Sequence, residues 1–99
     1  MAKSDAYRPP SGMGYLVDCQ ANLLNNLNTR VVVPIFPAAE AERGAPRLNP
    51  ILDVCGEPHV MVTQFAGSMP IRQLGERVTS LIEHNLAIDN AIDMLLNGY

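Results

Sequence analysis

The sequence predicts a mainly β domain: a small curved sheet or barrel of short strands, closed by one C-terminal α-helix. Three observations carry that expectation. Five or six short β-prone runs are separated by Gly, Pro and Asn turn signals. Only the final stretch, residues 83–99, has a helical period, with Ile88, Ile92, Leu95 and Tyr99 at i, i+4, i+7 and i+11. The composition also fits: 99 residues, 47% hydrophobic, with three Tyr, two Phe and no Trp, allow one aliphatic core and a single domain over 1–99.

Residues 1–14 are polar and turn-rich, with Pro9-Pro10-Ser11-Gly12 marking a loop and a short strand expected around Ala6-Tyr7-Arg8. Residues 15–21 alternate as a half-buried strand does. Tyr15, Val17, Cys19 and Ala21 should face inward, Asp18 and Gln20 outward. Pairing with Arg30 on a neighbouring strand is the simplest role for Asp18. Residues 22–28 are Asn-rich yet hold three leucines, and such a loop covers an apolar surface or joins an interface. The run Arg30-Val31-Val32-Val33-Pro34-Ile35-Phe36 is apolar on both faces, as in a central strand, but its proline removes a ladder donor. A long bent strand with a bulge near Pro34 reconciles the two.

A long excursion over residues 37–50 follows, with a turn of helix expected in 38–43. Residues 51–55 and 59–66 should form a hairpin joined by Gly56-Glu57-Pro58. Gly67-Ser68 turns the chain, and residues 69–74 supply a last short strand. Thr79 or Ser80 is the expected N-cap of the closing helix. On that helix Leu81 and Leu96 widen the apolar stripe, while Asp89, Asn90, Asp93 and Asn97 lie opposite. Gly98 suits the residue just past the end.

The net charge of -3 comes entirely from Glu83, Asp89 and Asp93, because residues 1–77 are neutral. The acidic face is either solvated or kept for a basic partner surface. Overall acidity, with a pI near 5.1, argues against broad nucleic-acid binding. No run is long and apolar enough for a membrane span, and no secretory signal is visible at the N-terminus, so a cytoplasmic protein is expected. Cys19 and Cys55 lie far apart without metal-ligand spacing and read as buried free thiols. No metal or other cofactor is expected. Phosphate-binding, nucleophile-elbow and zinc-protease motifs are absent, and His59 reads as a surface or edge residue rather than a base. His84 falls in the first turns of the helix. From these residues the expectation is a binder, not an enzyme.

Several blocks resemble the CcdB-type toxins of bacterial toxin–antitoxin modules: Tyr15-Leu16-Val17-Asp18-Cys19-Gln20, Arg30-Val31-Val32-Val33-Pro34-Ile35, and Asn90-Ala91-Ile92-Asp93 through Gly98-Tyr99. Pro70, Gly75-Glu76 and Leu81 also match. The resemblance implies an SH3-like small barrel of the CcdB/MazF type with one C-terminal helix. It implies a homodimer, with Ala21, Leu23, Leu24, Ser68 and Gly98 as candidate interface residues. It further implies binding to the A subunit of DNA gyrase through Asn97, Gly98 and Tyr99, trapping of cleaved DNA, and no catalysis. A CcdA-like antitoxin would neutralise the toxin, and the pair together would bind operator DNA and repress their own promoter. Asn97 stands where characterised members have Trp, and Tyr99 where they end in an aliphatic residue. Two alternatives share the fold. One is a MazF-type endoribonuclease, for which Arg30, Arg43, Arg47, Arg72 and His59 are the available residues. The other is a non-toxic chromosomal homologue that binds antitoxin only.

Overall fold

A computed structural model of the chain describes residues 2–10, 12–41 and 44–98. Seven strands are described: β1 (Asp5–Tyr7), β2 (Tyr15–Asp18), β3 (Thr29–Pro37), β4 (Ile51–Val54), β5 (Glu57–Met61), β6 (Gly67–Pro70) and β7 (Arg77–Ser80), followed by α1 (Asn85–Asn97). They form one antiparallel curled sheet in the order β4-β5-β3-β2-β1-β7, with β6 added against β3. The mainly β fold with one C-terminal helix is therefore as the sequence predicts. The core gathers Ala6, Val17, Val33, Ile35, Leu52, Val54 and Met61 from the strands with Leu81, Ile88 and Ala91.

β3 is the spine. Along one side it pairs with β2, from Tyr15↔Ile35 to Asp18↔Val32. Its other partners divide it in two: Thr29–Val32 pair with β6, and Ile35–Pro37 with β5. Pro34 stands at that changeover, where a missing backbone donor is best tolerated. The β2–β3 register runs unbroken past Leu16↔Pro34, so the expected bulge is absent there; the register shift falls instead between Ala6 and Tyr7, where β1 meets β7.

The β4–β5 hairpin is tighter than expected. Val54 pairs with Glu57, so only Cys55 and Gly56 turn, both with positive φ (52° and 90°). That combination is a type I′ hairpin turn, whose twist matches the strands. Glu57 and Pro58 accordingly belong to β5. Cys55 is exposed rather than buried, whereas burial pushes the half-buried Cys19 thiol up to about 12.

Beyond β5 the pattern departs further from expectation. Thr63–Phe65 is a 3₁₀ turn, β6 begins at Gly67, and Ile71–Gln73 is another 3₁₀ turn rather than strand. Thr79 and Ser80 do not cap a helix; they lie in β7, opposite Ala6 and Asp5. A 3₁₀ turn over Ile82–His84 intervenes before α1. Within α1 the buried residues are Ile88 and Ala91, with Ala87 and Ile92 packed beside them, and Leu81 reaches the core from outside the helix. Leu96 is exposed and does not widen the inner stripe.

Two polar networks lock this frame. Arg30 donates from Nε to Asp18 Oδ2 at 2.8 Å and its Nη2 lies 2.6 Å from the same oxygen, with both side chains fully buried. The outward placement expected for Asp18 thus fails, because a partnered carboxylate can be enclosed. Gln20 is buried too, accepting from Val31 N–H at 3.1 Å and donating to the Leu24 carbonyl at 2.9 Å. Across the molecule Lys3 pairs with Asp89 and donates to Asn85 at 3.0 Å, tying the start of the chain to α1. The expected turn of helix in 38–43 is a 3₁₀ turn at Ala38–Glu40; its last two positions, Glu42 and Arg43, lie outside the described residues. Buried Asn49 anchors the excursion by donating to the Met61 carbonyl at 3.1 Å.

Candidate functional site

Two places on this frame have features that packing does not use. The first is the end of α1. Because the helix buries only Ile88 and Ala91 fully, its last turns leave Leu95 and Leu96 exposed, the latter 72%. Gly98 adopts the left-handed conformation (φ 77°) and donates its N–H to the Met94 carbonyl at 2.9 Å, closing the helix. Asn97 and Gly98 are exposed beside these leucines, and Tyr99 lies outside the described residues. Ala21, Leu23, Leu24 and Ser68, the other residues singled out from the sequence, are likewise exposed, with Leu23 at 90%. Phe65, Leu27 and Val31 are exposed as well.

The second is a pocket of about 270 Å³ lined by Arg8, Pro9, Gly12, Met13, Gly14, Tyr15, Pro37, Glu57 and His59. It forms because β3 pairs with both neighbours, bringing Tyr15 opposite Ile35 on one side and His59 opposite Pro37 on the other. Gly14 closes the wall: a Cβ there would lie 2.0 Å from the Ile35 carbonyl oxygen, and its φ of 78° lies in the left-handed region that favours glycine. Arg8 is held by its backbone, which donates to the Glu76 carbonyl at 2.9 Å and accepts from Gly75 N–H at 3.0 Å. A Cβ on Gly75 would come 2.7 Å from that Arg8 carbonyl, so the approach requires glycine.

The polar side chains here are positioned differently from their expected roles. His59 is not a surface residue; it is 3% exposed, its Nδ1 lies 3.0 Å from the Glu57 carbonyl oxygen, and its ring centroid is 5.4 Å from that of Tyr15. The Arg8 side chain is exposed and has no hydrogen-bond or ion-pair partner among the described residues. The other arginines weighed from sequence do not join the pocket. Arg30 is enclosed by Asp18, Arg47 and Arg72 are exposed elsewhere, and Arg43 lies outside the described residues. Arg8 was missed because its nearest pocket companions in sequence are Pro and Gly. His84 precedes α1 and accepts the Asp53 N–H at 3.3 Å. Among the described residues no group of His, Cys, Asp and Glu is arranged to hold a metal ion, and no helix is long and apolar enough to cross a membrane.

Comparison with known proteins gives a family and a fold. The model of one family, described as CcdB protein, matches residues 3–98. Among solved structures, an endoribonuclease in complex with its cognate antitoxin, from a mycobacterial species, is similar at a TM-score of 0.79 and 15% identity, covering 97% of this chain and 94% of that one. A MazF toxin of Mycobacterium tuberculosis gives 0.76 at 16% identity, over 96% of this chain and 97% of that one. A third, described as an Mtb toxin, gives 0.70 at 17%, over 88% and 94%. These likenesses correct the expectation of a non-catalytic binder: solved proteins that share this fold include an endoribonuclease, so the fold itself is no argument against catalysis.

Proposed function

The chain belongs to the CcdB protein family, and from that premise we propose that it is the toxin of a toxin–antitoxin pair that engages the A subunit of DNA gyrase through the end of α1 and traps cleaved DNA. The observation that supports this reading is the helix tip itself. Leu95, Leu96 and Gly98 are exposed at the end of a helix whose inner face is already satisfied by the sheet. Exposed apolar groups gathered at one projecting point are what a protein-binding hot spot needs. Asn97 supplies no indole there, so Tyr99 would be the aromatic contributor.

In this reading the protein is a homodimer, joined through Ala21, Leu23, Leu24, Ser68 and Gly98, and its partner is a CcdA-like antitoxin. The similarity to a barrel solved with its cognate antitoxin supports the latter. Operator DNA would be bound only with antitoxin. Purified protein added to gyrase, supercoiled plasmid and ATP should yield linear DNA after detergent and protease treatment. Plasmid that stays uncut at micromolar toxin contradicts the proposal.

The pocket favours a second reading, cleavage of RNA. Its specific support is the meeting of Arg8, whose side chain has no partner among the described residues, with His59 and Tyr15 in one concave site. A cation, an imidazole and an aromatic face are the chemistry of a single-stranded phosphodiester site.

A further inference from the structure

We infer that His59 is the proton acceptor for the 2′-hydroxyl of an RNA strand whose phosphate is held by Arg8; this rests on the second reading above. The argument starts from the ring. A backbone carbonyl only accepts, so the 3.0 Å contact between Nδ1 and the Glu57 oxygen places the imidazole hydrogen on Nδ1. Nε2 then carries the lone pair. No group among the described residues hydrogen-bonds Nε2, although His59 is almost wholly enclosed and lines the pocket. A buried imidazole that lines a cavity, with one nitrogen fixed and the other without a partner among the described residues, can serve as a general base. Tyr15 fixes the ring plane from the side, at 50° between the rings.

Arg8 supplies the complementary charge. Among the described residues it is the only cationic residue lining the pocket, and its side chain has no partner there, while its backbone is clamped by Gly75 and Glu76. A guanidinium on a phosphodiester neutralises the charge that grows on the non-bridging oxygens as a fifth bond to phosphorus forms. The step then balances. The 2′-oxygen bonds to phosphorus as its proton passes to Nε2. The P–O5′ bond breaks, the 5′-oxygen leaves with the electron pair, and it takes a proton from water. The imidazolium returns its proton to the resulting hydroxide. The products are a 2′,3′-cyclic phosphate and a 5′-hydroxyl, with no atom gained or lost. A strand lacking the 2′-hydroxyl can bind and cannot react.

The test uses the full chain, a single-stranded RNA, and the same strand made wholly of DNA. Wild type should cleave the RNA, leave the DNA strand intact, and give a 2′,3′-cyclic phosphate terminus by mass spectrometry. H59N keeps a donor for the Glu57 carbonyl and should lose on the order of 10²-fold or more in kcat. Its affinity for the uncleaved DNA strand and its unfolding temperature should stay at the wild-type values. H59Q, which lacks the Nδ1 donor, should lose activity equally. R8A should instead weaken binding of both strands. Cleavage by folded H59N at the wild-type kcat would overturn the assignment of His59 while leaving the RNA reading standing. Absence of cleavage by wild type would overturn both, as would cleavage of the DNA strand.

Discussion

At the end of α1 the exposed Leu95 and Leu96 stand on one turn of one helix. In the pocket, Arg8, Tyr15, Glu57 and His59 converge from the end of β1, the start of β2 and the start of β5. The first surface depends on residues within a few positions of each other. The second exists only while β3 holds β2 and β5 in register on its two sides. A helix tip can therefore be altered without cost to the sheet, whereas the pocket fails with the frame. That asymmetry lets mutations separate the two readings.

The largest effect should come from the frame itself. Arg30→Met strands the buried Asp18 carboxylate, a loss of about 3–5 kcal/mol. Chemical denaturation should show it, and both surfaces should lose function together. Retained stability would mean the pair is dispensable to the frame.

Gly14→Ala comes next. The added Cβ must displace the Ile35 carbonyl and hold φ near 78°, which costs roughly 1–3 kcal/mol of backbone strain alone. It should distort the pocket and spare the helix tip, so RNA binding measured by fluorescence anisotropy should fall while gyrase trapping persists in the folded fraction. The opposite pattern would break the distinction between the two surfaces. At the tip, Asn97→Trp should strengthen gyrase binding by about 2 kcal/mol, close to thirtyfold, by adding an indole to the exposed leucines. Titration of trapped DNA against toxin concentration measures this. The smallest change should follow Glu57→Gln. Removing this carboxylate from the pocket lining should tighten RNA binding by a few-fold at low salt and less at high salt.

The same asymmetry explains what was legible in the sequence. α1 was readable because its signal is local: Ile88 and Ile92 recur at helical spacing, and Gly98 marks the end. The buried ion pair was half legible. Opposite charges on neighbouring strands suggested Asp18 with Arg30, but alternation placed Asp18 outside because periodicity carries no information about a partner that permits burial. β7 was missed since Thr79 and Ser80 are good caps in isolation and become strand only by pairing with β1. The pocket was not legible at all. Nothing local to His59 reveals that Pro37 and Tyr15 will enclose it, and Arg8 sits among turn residues that conceal its role. Glycines were the available clue, for Gly14 and Gly75 mark the two close backbone approaches that build the wall.

Growth of cells expressing the full chain, beside cells expressing a chain that stops at Leu96, tests the central claim most directly. Asn97 and Gly98 are exposed, so the shortened protein should keep its circular dichroism spectrum and nearly all of its unfolding midpoint. If the helix tip is the toxic surface, the full chain arrests growth and the shortened chain does not. Equal arrest by a folded shortened chain would contradict the account and move toxicity to the pocket.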